Sequence, residues 1–166
     1  FATLFPVEPH WERRARALGE RCYELMSFLT DVMAFDSITA RYDGTVTYHD
    51  ACSGLRELGV KSQPRALLDK VEGLNLAELT DGEVCCGFGG TFCVKHPEIS
   101  ARLVSDKCAD IEASGADTLL AGDMGCLMNL AGRLKRLGSS VKVYHAAEVL
   151  AGRTGEAPPI AEGSLE

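Results

Sequence analysis

The chain has 166 residues, the size of one ordinary domain, and a composition that is 46% hydrophobic and 25% charged, enough apolar content to bury a core and too much for a disordered segment. Its formal net charge of -7 is spread over both halves with no basic face, which excludes roles that need nucleic acid or an anionic membrane surface as partner. No apolar run approaches a membrane span and the start lacks the regions of a signal peptide, so the reading is a cytoplasmic protein with no transmembrane segment.

In chain order, an irregular, proline-bearing start leads into residues 11–34, where Leu18, Cys22, Leu25, Met26, Leu29, Val32 and Met33 recur at helical spacing and predict one long amphipathic helix. Beyond it one pattern repeats: a β-prone run, a loop with glycine or cysteine, then an amphipathic helix. The predicted strands are Thr45–Tyr48, Leu74–Leu79, Thr118–Ala121 and Val141–Tyr144. The predicted helices lie near Gln63–Val71, Pro97–Ser114, Leu127–Leu137 and Ala146–Leu150. Pro64 and Pro97 suit a first helical turn, and Gly73, Gly115 and Gly138 sit where helices commonly stop. Such alternation argues for an α/β fold: a Rossmann-like parallel sheet of about four strands with helices on both faces, preceded by the long helix. Residues 1–152 form the expected domain. The tail, residues 153–166, lacks the apolar content to fold and is expected to fray.

Seven cysteines are many for a reducing compartment and fit no small disulfide scaffold, so metal or redox chemistry is the natural reading. On the predicted map Cys52 follows the first strand, Cys85 and Cys86 the second and Cys126 the third, while His145 follows the fourth. In an open parallel sheet these loops share the carboxyl edge, where such folds build their sites. Cys52, Cys85, Cys86 and Cys126 are therefore the candidate metal ligands, and soft thiolates select iron–sulfur clusters or zinc over hard cations. Gly87, Gly89 and Gly90, with Phe88 between them, form a loop whose backbone amides can approach cluster sulfurs.

Other residues have a plainer reading beside the functional one. His49 and His145 suit a ligand, a hydrogen-bond partner or a proton relay, against a buried histidine bonded to backbone; the plain reading leads for His145, and the two balance for His49. Asp50 and Asp123 suit support of a ligand or simple capping. Cys22 and Cys108 are assigned to helix packing; Lys95 and His96 suit positive charge near an anionic cluster or carboxylate substrate, with the entrance of a solvated helix the plainer reading, and Arg56 and Arg65 suit an acidic partner, with solvated surface the default. No Ser-His-Asp order, zincin motif or phosphate-binding lysine loop is present, and the glycine loop lacks dinucleotide spacing, so flavin or nicotinamide belongs on a partner. A thiol–disulfide cycle of Cys85 and Cys86 ranks last, because a disulfide between adjacent residues is strained.

The blocks Val46-Thr47-Tyr48-His49-Asp50-Ala51-Cys52, Cys85-Cys86-Gly87-Phe88-Gly89-Gly90-Thr91-Phe92, Val94 to Ser100, Gly122 to Asn129 and His145 to Leu150 carry a specific likeness. They resemble the cysteine-rich CCG domain family, and within it the branch of iron–sulfur subunits of bacterial L-lactate oxidising complexes. That family also includes the iron–sulfur subunit of glycolate oxidase and cysteine-rich subunits of anaerobic glycerol-3-phosphate dehydrogenase and of heterodisulfide reductase. The resemblance implies an iron–sulfur cluster, of the four-iron kind, held by Cys52, Cys85, Cys86 and Cys126. It implies an electron-transfer subunit of a 2-hydroxy-acid oxidising complex, not catalytic alone and with other subunits as partners. It also implies tandem CCG domains, of which this chain, beginning at Phe1, carries the second, so the missing amino-terminal CCG domain is an expected partner. Zinc in a closed structural site is the alternative cofactor, and glycolate an alternative substrate. Two positions depart from the pattern. Heterodisulfide reductase-like members end the last block in Cys-x-x-Cys, where this chain has Asn129, and Cys93 replaces an expected serine and reads as a packed residue.

Overall fold

In the computed structural model, which describes residues 5–162, four parallel strands form a single sheet in the order β2-β1-β3-β4. They are β1 (Arg41–Tyr48), β2 (Glu72–Leu76), β3 (Thr118–Ala121) and β4 (Lys142–His145). Thr47 pairs with Leu119 and Tyr48 with Leu120, while Leu120 pairs with Tyr144. Successive side chains alternate between faces, so the register sorts the core into two layers. Leu119, Ala121 and Val143 pack against α5 (Pro97–Ala113) and α6 (Met124–Leu137) through Val104, Cys108, Ile111, Leu127, Leu130 and Leu134. Val46, Tyr48, Leu120 and Tyr144 face the other way, onto Met26, Leu67, Leu68, Val71 and Val149. The latter come from α2 (Leu25–Ser27), α3 (Ser62–Leu68) with the turn after it, and α7 (Ala146–Leu150). Both faces are covered, which is why β3 is buried at all of its positions.

The elements begin and end largely where turn chemistry places them. Pro97 opens α5, Gly138 closes α6 in a left-handed conformation, and Asp123 caps α6 by accepting a hydrogen bond from the Cys126 amide at 2.9 Å.

Three expectations differ. The long helix over 11–34 is broken into α1 (Pro9–Gly19) and α2, which continues as a π-helical turn over Phe28–Val32. The break falls at Glu24, whose carboxylate accepts from the Met26 and Ser27 amides and so starts a new helix instead of continuing the old one. Only Ala15 and Met26 of these pieces are buried; Leu18, Leu25, Val32 and Met33 stay exposed. The second strand ends at Leu76, earlier than the expected Leu79, and the first begins earlier, at Arg41. The segment after Arg153, expected to fray, is tied down as far as it is described. The Ile160 amide donates to Val143 O at 2.9 Å, Lys135 Nζ donates to Ala161 O, and both residues pack on the α5–α6 layer. Residues 163–166 of that predicted tail lie outside the described residues.

Candidate metal centre

The strand order puts a topological switch between β1 and β3, because the chain leaves β1 toward β2 on one side and returns to β3 on the other. Residues just past the carboxyl ends of these two strands flank the switch. The His49 amide donates to Leu120 O at 2.8 Å and prolongs the ladder beyond β1, so alternation continues for another two residues. His49 thereby shares the face of Thr47, toward α5 and α6, while Asp50 shares the face of Tyr48, toward α3. Adjacent residues are sent to opposite sides of the sheet.

On the first side, His49, Cys86 and Cys126 come together. A ligand atom from each lies within 4.8 Å of the others, and all three residues are buried. Cys126 arrives on the first turn of α6, aimed by the Asp123 cap. Cys86 has a longer journey, because β2 is the edge strand and its following segment must recross β1 to reach the switch. α5 holds that segment. The Asp110 carboxylate accepts from the Thr80 and Asp81 amides at 3.1 Å, and Lys107 Nζ donates to Asp81 O. Ser100 Oγ donates to Gly87 O at 2.8 Å, and Asn129 Nδ2, from α6, donates to Cys86 O at 2.9 Å. Asn129 thus anchors the backbone of the cysteine pair.

Cys52 and Cys85 form an outer, half-buried tier. Burial pushes the Cys85 thiol up, opposed by the Gly87 amide, which donates to its sulfur at 3.3 Å; Cys86 and Cys52 lie close enough to raise it further. Cys86 and Cys126 titrate as a pair. The hydrogen bond from Cys126 holds Cys86 well below the ordinary thiol range against the effect of burial, with His49 and the Phe88 amide adding to it, and the same bond to the Cys86 thiolate holds Cys126 far above that range. Both ring nitrogens of His49 are buried, and apart from its approach to the Cys86 sulfur the imidazole has no hydrogen-bond partner among the described residues. A soft metal ion bound there would give it a partner. Thiolates and an unpartnered imidazole are the donors that zinc and iron–sulfur clusters take.

On the other side of the sheet, Asp50 pairs with Arg65. Both guanidinium NH groups donate to its carboxylate at 2.9 Å, and Arg65 also binds Glu78 at 2.7 and 2.8 Å. These partners hold the Arg65 pKa up and Glu78 below the usual carboxylate range. Arg65 therefore ties β1, α3 and the stretch after β2 together, and is not the solvated residue expected. Arg56, Lys95 and His96 are exposed, as expected. His145 Nδ1 accepts from the Ala147 amide and Glu148 Oε2 from the His145 amide, a capping box that occupies His145 at the head of α7. Phe88 is half-buried against the α5–α6 layer, Gly89 and Gly90 have positive φ, and Gly90 O accepts from the thiol of half-buried Cys93.

Lys107 was missed by the sequence reading. It is almost fully buried, and desolvation lowers its pKa against the pull of Asp110, Asp81 and Cys86. The signal was its spacing: Val104, Lys107, Cys108 and Ile111 share one helical face, and all are buried.

The sequence model of the cysteine-rich domain family, CCG, matches residues 46–131, from the middle of β1 to the middle of α6, and so takes in Cys52, Cys85, Cys86, Cys126 and His49. The chain belongs to the CCG family. This CCG domain is 45% identical over 150 residues to lactate utilization protein A of Oceanobacillus iheyensis, covering 90% of this chain and 62% of that protein. It is 46% identical over 153 residues to lactate utilization protein A of a Geobacillus species, covering 92% and 64% respectively, and 45% identical over 150 residues to that of Halalkalibacterium halodurans, covering 90% and 62%. The chain thus spans 62–64% of the length of these relatives. No helix among the described residues of the CCG domain is long and apolar enough to cross a membrane.

Cys22 and Cys108 separate cleanly. Cys108 packs between α5 and α6 as expected, and burial pushes its thiol up to about 12, whereas Cys22 is exposed because the helix meant to bury it breaks there. In alkylation of the native protein at mildly alkaline pH, read by mass spectrometry of peptides, Cys22 is expected to react rapidly and Cys108 only after denaturation. Comparable rates at the two sites would contradict this packing.

Proposed function

We propose that this CCG domain carries a redox metal centre, an iron–sulfur cluster ligated by Cys52, Cys85, Cys86 and Cys126, in a subunit that passes electrons from oxidation of L-lactate or a related 2-hydroxy acid. The observation that carries the reading is the meeting of Cys86 and Cys126 with His49 within 4.8 Å at the switch point, with half-buried Cys85 next to Cys86 in the chain and Cys52 near enough to raise the Cys85 thiol. A centre reached from solvent on one side and packed on the other can exchange electrons with a partner while staying protected from water. When bound, the cluster supplies one-electron transfer; the chain supplies thiolates, the Gly87 and Phe88 amides directed at Cys85 and Cys86, and the cover of Leu127. The name of the relatives, lactate utilization protein A, supports the substrate class. The remaining third of their length and other subunits are the partners this reading calls for.

One observation favours zinc as a second reading. His49, Cys86 and Cys126 offer an imidazole and two thiols within 4.8 Å of one another, a mixed nitrogen and sulfur donor set that structural zinc sites use. A zinc site would make the domain an assembly module. Anaerobic purification of the full chain decides between them: the cluster predicts a brown protein with stoichiometric iron and acid-labile sulfide. A colourless anaerobic preparation with stoichiometric zinc would sink the electron-transfer reading.

A further inference from the structure

Among the described residues, five buried side-chain nitrogen or oxygen atoms lack a hydrogen-bond partner, and three of them belong to Thr47 and His49. These two residues lie on one face of β1 and its extension, and His49 meets Cys86 and Cys126 on that face. Orphans scattered over a molecule need no common cause; a concentration beside two buried sulfurs does. His49 is fully buried, so water from outside does not satisfy it, and its backbone is fixed by the bond from its amide to Leu120 O. Candidate partners nearby are already engaged elsewhere: Asn129 with Cys86 O, Asp123 with the Cys126 amide, and Asp50 with Arg65. What remains facing the imidazole is sulfur.

We infer that His49 is itself a ligand of the metal centre, so that coordination is mixed: imidazole nitrogen with Cys86 and Cys126 on the buried side, Cys52 and Cys85 on the solvent side. This rests on the metal-centre reading above. As a neutral donor beside the four thiolates, the imidazole leaves the site less anionic than a fifth thiolate would and holds its reduction potential higher. With the four cysteines it makes five donors, one more than a closed tetrahedral zinc site or a cubane with one protein ligand per iron uses.

The test is pulsed electron paramagnetic resonance on the reduced, anaerobically prepared full chain, with ¹⁵N-histidine labelling to identify the nitrogen. A strongly coupled histidine nitrogen is expected in the native protein and its loss in His49→Ala. His49→Cys is the second variant: it keeps a donor, and is expected to retain iron and sulfide while losing the nitrogen coupling and shifting the potential downward. Iron and sulfide at full occupancy with no strongly coupled nitrogen, or with a coupling that survives His49→Ala, would overturn the inference and leave the cluster reading standing. If zinc is found in place of iron, the cluster reading fails while X-ray absorption at the zinc edge still decides His49: a histidine signature lost in His49→Ala supports ligation, and an all-sulfur shell rejects it. A protein that binds neither metal overturns both.

Discussion

Replacing Gly87 with alanine is expected to destabilise the domain by roughly 4 kcal/mol and to abolish metal binding at the proposed centre, whereas the same change at Gly90 is expected to cost about 2 kcal/mol, from backbone strain alone. Both glycines have positive φ, 81° and 58° respectively, where an L side chain meets its own carbonyl. The difference lies in the surroundings. A Cβ on Gly87 would come within 2.8 Å of Ser100 O and 2.9 Å of Leu103 Cβ, on a helix locked into the core; one on Gly90 would meet nothing within 4 Å. Relief at position 87 requires the cysteine pair to move off α5, breaking the bond from Ser100 Oγ to Gly87 O and shifting Cys86 away from Cys126 and His49. Urea denaturation and metal analysis of the two variants measure the contrast. Equal losses of stability would show that conformational strain alone matters, and the close approach to α5 would carry no weight.

The second large effect is expected at Arg65. Arg65→Ala should cost about 3 kcal/mol, because it strands the Asp50 carboxylate, whose side chain is 2% exposed, without its counter-ion. Glu78→Ala should cost no more than about 1 kcal/mol, since Glu78 is 54% exposed and water replaces the arginine. Asp50→Asn combined with Arg65→Ala should cost less than the sum of the two single changes, because the damage from either is largely the unpaired partner it leaves behind. Urea titrations of the single and double variants test this, and additive losses would mean that the two residues act independently. Asp50 adjoins His49 in the chain, so Arg65→Ala is also expected to weaken metal binding at the proposed centre.

These two sites mark where local reading stops. Strand and helix periodicity was legible because each apolar run carries its own period: the strand Thr118–Ala121 and the starts and stops at Pro97, Gly115 and Gly138 follow from local sterics. The broken helix at Glu24 was not legible, since Leu18 to Met33 keep helical spacing through a segment whose apolar residues are largely exposed. Periodicity reports which residues share a face and is silent on whether anything covers it. Arg65 and Lys107 were misjudged or missed for the same reason. An arginine or lysine in sequence reads as solvated, and only partners distant along the chain, Asp50 for one and Asp81 for the other, make burial tolerable.

The amino-acid sequence by itself determined the α/β alternation, the membership of the cysteines in loops that follow strands, and the CCG block that marks the family. The tertiary structure alone decided the strand order. With β2 at the edge, the pair Cys85 and Cys86 reaches the switch between β1 and β3 only because α5 pins the segment that carries it. It also decided that His49 and Asp50 part to opposite faces, one toward the sulfurs and one toward Arg65. Strand neighbours and the outlet for each face depend on contacts between residues far apart in the chain, and those free energies exist only once the sheet has assembled.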